Sequence, residues 1–358
     1  MLKITQRWVN NFPEFVQDIK DNPAEVTHIL LDFLQEILYT WPVETVAYEK
    51  LIDIAYEHNI PVTIVTPYLA SMPVLLDFTQ EKYKRINIIH VPSFWFKRTY
   101  YMWTLSQGNM LMNLAKNVDM RDMYFGEQLT DFKYPYICTN NIAKMHRCLV
   151  MDLLAKHNLI DVGAIAWRDI IRAFDNDRDL YPDLTDSQRG NYKYQYWTPK
   201  RMFLDYDLSD FHQETVPEHY NQSFMQLVTE SDDTVAFFSE KTATPILLNK
   251  PFLVAGGQYH HRELNSLGFV NYDELFDYSF DAEPDIQVRY ELLVQNVKRV
   301  SMLPTEELSR LYKQIFPKLV HNKQLAMTYV NDTPKELEYV LSLLENERDY
   351  TGPLNMFL

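Results

Sequence analysis

The feature that most constrains this chain is a helix-to-strand step near residue 59. Thr45 to His58 sets Val46, Leu51, Ile54 and Ala55 on one helical face, and Asn59 ends that helix. Ile60-Pro61-Val62-Thr63-Ile64-Val65-Thr66-Pro67 follows as a β-branched strand closed by proline. Parallel neighbours cannot be joined by a hairpin, so a helix feeding such a strand marks the crossover of a parallel sheet. Val26–Phe33 is an apolar run of strand length before it, and Ile86 to Val91 another after it. Strands this continuously apolar belong to a sheet covered on both faces.

The same rhythm restarts at Tyr134. Tyr134 to Thr139 is strand-like, Asn140-Asn141 makes a turn, and Met145 to His157 is a helix with Leu149, Leu153 and Leu154 on one side. Residues 97 to 130, between the two rhythms, are helical in character and rich in Met and Asn. Thr198 to Asp207, Ser223 to Thr229 and Pro251 to Ala255 are further strand candidates, and Pro245 to Leu248 resembles a helix end. Thr333-Pro334-Lys335-Glu336 is a capping box with proline at the first helical position. At ~100–200 residues per domain, 358 residues suit two domains. The expectation is therefore an α/β protein of two Rossmann-like domains facing each other across a cleft. The expected spans are 1–130, 131–300 and a helical 301–358 that packs back on the first domain. Ligands of open α/β sheets sit beyond the carboxyl ends of the strands, so the cleft is the expected site.

Composition narrows the function classes. Hydrophobic residues make up 46% of the chain, enough for a sizeable core. Lys plus Arg number 34 against 49 Asp plus Glu, a net charge of -15, which disfavours a duplex nucleic-acid partner. Cys138 and Cys148 are too few for a disulfide scaffold or a zinc ribbon, so both are read as reduced, buried thiols. No run reaches the ~18 apolar residues of a spanning helix, and no signal-peptide pattern opens the chain. A soluble protein of a cytoplasm-like compartment is expected.

Nucleotide motifs of the G-x-G-x-x-G and G-x-x-x-x-G-K-[ST] types are absent, as is H-E-x-x-H. His260-His261 are adjacent and would point apart on a helix, which argues against a metal pair. Asp175 to Asp179 lacks the glycine of a calcium loop, and Asp205-Tyr206-Asp207 is a common tripeptide. Solvated loop carboxylates are preferred for both, with a metal-dependent sugar transferase using Asp205 and Asp207 as a third functional reading. No metal and no cofactor are otherwise expected. The strongest signal runs from Thr229 to Gly257. Ser239 can cap a helix whose first amides face an anion, Glu240 can accept from sugar hydroxyls, and Lys241 is a compact cation for phosphate. The alternative is a favourable first turn of a surface helix.

Three pieces of this region, Thr229-Glu230-Ser231, Ser239-Glu240-Lys241 and Pro251–Gly256, resemble the donor-binding region of GT-B glycosyltransferases, especially the α-1,3-fucosyltransferase-like group. Upstream, strand Tyr136–Thr139, turn Asn140-Asn141 and His146-Arg147 resemble the family's arginine-bearing turn. Leu264 to Phe269 and Phe276 to Asp281 are similar to stretches of phage- and virus-encoded glycosyltransferase-like proteins. Thr229 departs from the family's aromatic residue, Pro245 interrupts the helix, and the first third has no counterpart. The resemblance implies a nucleoside-diphosphate sugar as donor, held by Arg147, Glu230, Ser239, Glu240 and Lys241, with an unspecified glycan, protein or other acceptor. It also implies inverting, metal-independent transfer, for which Asp32 and Glu36 are the candidate bases. Tyr192, Tyr194, Tyr196 and Trp197 are candidates to stack on a sugar, or else to form a half-buried loop. A non-catalytic binding or virion-associated protein of the same fold is the alternative function.

Overall fold

A computed structural model describes residues 2–6, 12–34, 42–67, 79–100, 132–140, 144–167, 194–198, 202 and 218–344. The fold is mixed α/β, built on two four-stranded parallel sheets. The chain divides into two compact units, Met1–Lys97 with Tyr329–Leu358, and Arg98–Thr328.

In the first unit the order along the chain is β1 (Leu2–Gln6), α1 (Phe12–Asp21), β2 (His28–Asp32), α2 (Pro42–Glu57), β3 (Val62–Thr66), α3 (Glu81–Lys84) and β4 (Ile86–His90). The strands lie side by side in that same order, all parallel. Every residue of β2 and β3 is buried, as expected of central strands covered on both faces. Their core joins Ile29, Leu31 and Ile64 to Ile19 of α1 and Leu51 and Ile52 of α2. Residues 94–100 are helical.

The second unit contains β5 (Tyr134–Asn140), α4 (Met145–Lys156), β6 (Ala164–Trp167), α5 (Glu218–Asn221), β7 (Ser223–Thr229), α6 (Glu240–Leu247), β8 (Phe252–Ala255) and α7 (His260–Ser266). A 3-10 turn at Tyr278–Ala282 leads to α8 (Ile286–Ser301) and α9 (Thr305–Asn331), whose last residues fall in the first unit. Helix α10 (Lys335–Leu344) starts directly after the Thr333-Pro334 signal and buries Leu337, Val340 and Leu344. Here the strand order is β6-β5-β7-β8, again all parallel. Reversal between β5 and β7 is the topological switch of a doubly wound sheet.

Eight glycines serve the whole chain, and asparagine takes over one of their usual tasks. Asn59, Asn158 and Asn249 follow α2, α4 and α6 with φ of 56°, 58° and 53°. In each case the next amide bonds back into the helix: Ile60 to Ala55, Leu159 to Leu154, Lys250 to Pro245. Asparagine tolerates this left-handed exit better than any other residue with a β-carbon.

Strands β1 and β6 have no counterpart in the sequence expectations. β6 has only four residues, two of them alanine, below the length at which alternation or β-branching can be read. Of the expected strand Thr198 to Asp207, Met202 is described as an isolated antiparallel bridge to Trp167. Pro245 lies inside α6, where its missing amide removes the bond back to the Lys241 carbonyl, and the helix ends at Leu247 ahead of the left-handed Asn249.

Candidate functional site

The candidate site lies where β5 and β7 end side by side. Thr229, the last residue of β7, donates its hydroxyl to Asn140 Oδ1 at the end of β5, at 2.6 Å. Glu230 begins the connection that leaves β7.

Glu230 is fully buried, and both of its oxygens are engaged. Oε1 accepts from the Ser239 amide at 3.0 Å and the Thr242 hydroxyl at 2.6 Å. Oε2 accepts from the Ser231 amide at 2.9 Å and the Ser239 hydroxyl at 2.6 Å. Ser239 is the N-cap of α6: its backbone is extended and its Oγ accepts the Lys241 amide. The Thr242 and Ala243 amides return to the Ser239 carbonyl. The anion at this helix start is thus a carboxylate of the chain itself. Glu240 is 8% exposed, so the turn is not a surface turn. Burial alone would raise the Glu240 pKa, but the bonded Lys241 ammonium and Arg98 bring it below the ordinary carboxylate value.

Cations gather around Ser231. Lys241 Nζ donates to Ser231 Oγ at 3.0 Å and also to Glu240 Oε1. Lys144, the residue before α4, donates Nζ to the Ser231 carbonyl at 2.6 Å. Beneath them Arg147, 4% exposed, donates Nη2 to the Glu230 carbonyl at 3.1 Å. Burial lowers the Arg147 pKa, and the Glu230 and Glu240 carboxylates pull it back upward. His146 Nε2 lies 2.9 Å from the same carbonyl and therefore carries the proton. Its pKa sits well below the ordinary histidine value, first through burial, then through Arg147, with Lys144 and Lys241 adding to the effect. Asp233, 3.7 Å from His146 Nδ1, has its carboxyl pKa raised by burial and by Asp232.

Five predicted donor residues, Arg147, Glu230, Ser239, Glu240 and Lys241, therefore occupy one neighbourhood. Arg147, Glu230 and Ser239 face other protein groups there, whereas the Lys241 side chain keeps 28% of its surface. Asp32 ends β2 in the first unit, 2% exposed, and accepts the Leu34 amide at 3.2 Å. Glu36 lies outside the described residues, as do Tyr192, Asp205, Asp207 and the 175–179 run. Tyr194 donates to Cys148 Sγ, and Trp197 packs edge-on against Trp167 with centroids 5.1 Å apart. Asp152 Oδ1 holds this stretch by accepting the amides of residues 195, 196 and 197. Of the aromatic candidates described, Tyr196 is the exposed one, at 55%. Both cysteines are buried and free, and burial pushes Cys138 up to about 12.

Sequence reasoning missed Lys144, Thr242 and His260. His260 and His261 open α7 and diverge, His260 Nε2 to Thr242 Oγ1 at 3.2 Å and His261 Nε2 to the Val254 amide. The signal for Lys144 was available, since it directly precedes the helix that carries Arg147. Among the described residues, no group of three or more His, Cys, Asp or Glu is arranged to hold a metal ion. No described helix is long and apolar enough to cross a membrane.

No family model matches the sequence, and no curated protein does. A solved structure of an α,α-trehalose-phosphate synthase (UDP-forming) from Burkholderia vietnamiensis is similar over 96% of this chain and 72% of that one, at 10% identity and a TM-score of 0.44.

Proposed function

We propose that the chain is a nucleotide-sugar-dependent glycosyltransferase of GT-B type, its two units being the Rossmann-like domains of that architecture. The observation that carries this is the meeting of Lys144 and Lys241 on Ser231, from the two connections that flank the strand-order reversal. A doubly wound sheet binds ligands at that crevice. An ammonium has three donors, and Lys241 spends two of them on Ser231 and Glu240. The third suits a phosphate oxygen. Charge that grows on a departing diphosphate is best stabilised by cations already in place, and such preorganised electrostatics is commonly the largest catalytic contribution.

Under this proposal Arg147 acts from below as a buried charge, and Glu230 and Ser239 hold the frame in which the lysines stand. A first-unit carboxylate, Asp32 or Glu36, takes the proton of the acceptor hydroxyl as it attacks the anomeric carbon. Inversion and independence of metal are part of the same proposal. Calorimetric titration with UDP, GDP and their sugars tests it. Binding to the wild type that falls about tenfold or more in Lys241→Ala supports it. The absence of any nucleotide binder, or an unchanged affinity in that variant, defeats it. EDTA-sensitive transfer would move the assignment to a metal-dependent enzyme.

A second reading, a binding protein that keeps the fold without the reaction, has its own observation. The Glu230 carboxylate and the α6 start satisfy each other completely, which is the behaviour of an architectural clamp. Turnover of any donor, with an acceptor or with water, removes this alternative.

A further inference from the structure

We propose that His260 and Thr242 are positioning residues of the anion site, acting through Glu230 and Ser231 on Lys144 and Lys241. The inference rests on the reading above, that these two lysines face a phosphate group, and it extends that reading to residues touching no ligand.

Each link is a hydrogen bond whose direction follows from counting protons. Thr242 has one hydroxyl proton, and it goes to Glu230 Oε1 at 2.6 Å. Toward His260 the same oxygen can only accept, so the ring nitrogen 3.2 Å away, Nε2, must carry a hydrogen. His260 is wholly buried, and its other nitrogen, Nδ1, has no hydrogen-bond partner. A proton there would be stranded, so the imidazole is neutral, in agreement with a pKa pushed well down by burial and by His261. The ring packs closely on Gly256: a β-carbon at that residue would stand 3.2 Å from Nδ1. Phe238 covers it edge-on at 4.8 Å.

Glu230 then passes the constraint on. Its second oxygen fixes the Ser231 amide, and Ser231 offers its carbonyl to Lys144 and its hydroxyl to Lys241. One residue thus sets the heads of two cations that come from separate helices. A network of this kind orients charged groups in advance of the ligand, and a loose supporting shell costs affinity without removing a contact.

The test reads the lysines directly. Trace acetylation followed by mass spectrometry compares Lys144 and Lys241 with Lys82 of the first unit, in folded protein at pH 7. Thr242→Val and His260→Leu should raise labelling of both site lysines about threefold or more relative to Lys82. Thr242→Ser and His260→Gln, which keep the hydroxyl and the donor, should restore protection. Labelling unchanged in Thr242→Val and His260→Leu overturns the proposal. So does a 15N spectrum of histidine-labelled wild type showing His260 as the Nδ1–H tautomer or as imidazolium, a result independent of any variant's folding. UDP and GDP titration of the same proteins separates the two levels of argument. A wild type that binds neither nucleotide defeats the glycosyltransferase reading, while tautomer and labelling still judge the relay. Nucleotide binding with unchanged labelling defeats the relay alone.

Discussion

The two sheets are made alike and end differently. Both are parallel and four-stranded, and β3 and β7 are buried throughout, yet the first adds its strands in one direction and the second reverses between β5 and β7. At the carboxyl end of β2 the buried Asp32 accepts the Leu34 amide of its own turn. At the end of β7 a buried acid, Glu230, gathers four donors from Ser231, Ser239 and Thr242, and cations from α4 and α6 collect around it. Connections that leave a reversed pair of strands run to opposite sides and open a crevice, whereas a row built in one direction has no such opening. Strand order, more than composition, decides where polar groups can converge.

That contrast can be broken most sharply at the two acids. Glu230→Ala removes the acceptor of the Ser231 and Ser239 amides and the Ser239 and Thr242 hydroxyls, and one of the carboxylates that support the buried Arg147 charge, so a loss of about 3–5 kcal/mol in urea unfolding is expected. Asp32→Ala removes the bond to the Leu34 amide, at about 1 kcal/mol for each bond lost, and should cost less than Glu230→Ala. Equal losses at the two positions would show that the second sheet end is no more integrated than the first.

Next come two lysines with opposite shifts. Lys250, 1% exposed at the amino end of the second sheet, donates to the Ser223 carbonyl, stands 4.6 Å from the Tyr220 ring, and has its pKa lowered by burial to about 7. The unfolded chain keeps that proton up to the ordinary 10.5, so between pH 7 and 10 it binds more protons than the native state. Stability contributed by this group therefore rises with pH across that window. Lys250→Met should flatten the slope and stabilise the protein at pH 7 by about 1–4 kcal/mol. Lys82 in the first unit is raised instead, by its bond to Asp53, so its contribution is present at neutral pH and fades as pH rises through the raised value. Its exposure keeps that effect small. A Lys250→Met protein with an undiminished slope between pH 7 and 10 would refute the assignment.

The smallest expected change in stability distinguishes the units by ligand. Lys82→Ala should alter unfolding by less than about 1 kcal/mol and leave nucleotide affinity unchanged, whereas Lys241→Ala should reduce that affinity about tenfold. A similar loss of affinity in both variants would mean that nucleotide binding responds to overall charge and not to the reversed sheet.

Much of the architecture was legible before any coordinates. Val62 to Thr66, Ile86 to His90 and Ser223 to Thr229 are strands where β-branched and apolar runs say so, and Ser239 caps a helix where a serine precedes Glu-Lys. Four-residue β6 was too short to carry a period, and Leu2–Gln6 alternates too weakly to stand out. At the site, the sequence grouped Arg147, Glu230, Ser239, Glu240 and Lys241 but assigned all five to a ligand. Burial divides them: Arg147 binds main-chain carbonyls, Glu230 and Ser239 bind each other, and Lys241 keeps an exposed flank. Histidines 260 and 261 were correctly seen to diverge, and the hydroxyl that receives His260 lies 18 residues away, beyond any local pattern.

By itself the chain determined its parallel α/β class, its helix starts and its asparagine exits, because those depend on bonds and periods within a few residues. Only the tertiary structure decided the reversal of β5 and β7, the neutral His260 and the meeting of Lys144 with Lys241. Those depend on groups as far as 89 residues apart that the folded sheet places within hydrogen-bonding distance. Backbone bonds and side-chain periodicity act locally and leave a mark in the text of the sequence. Strand order and burial are settled by which distant surfaces exclude water together, and no short stretch of residues records that choice.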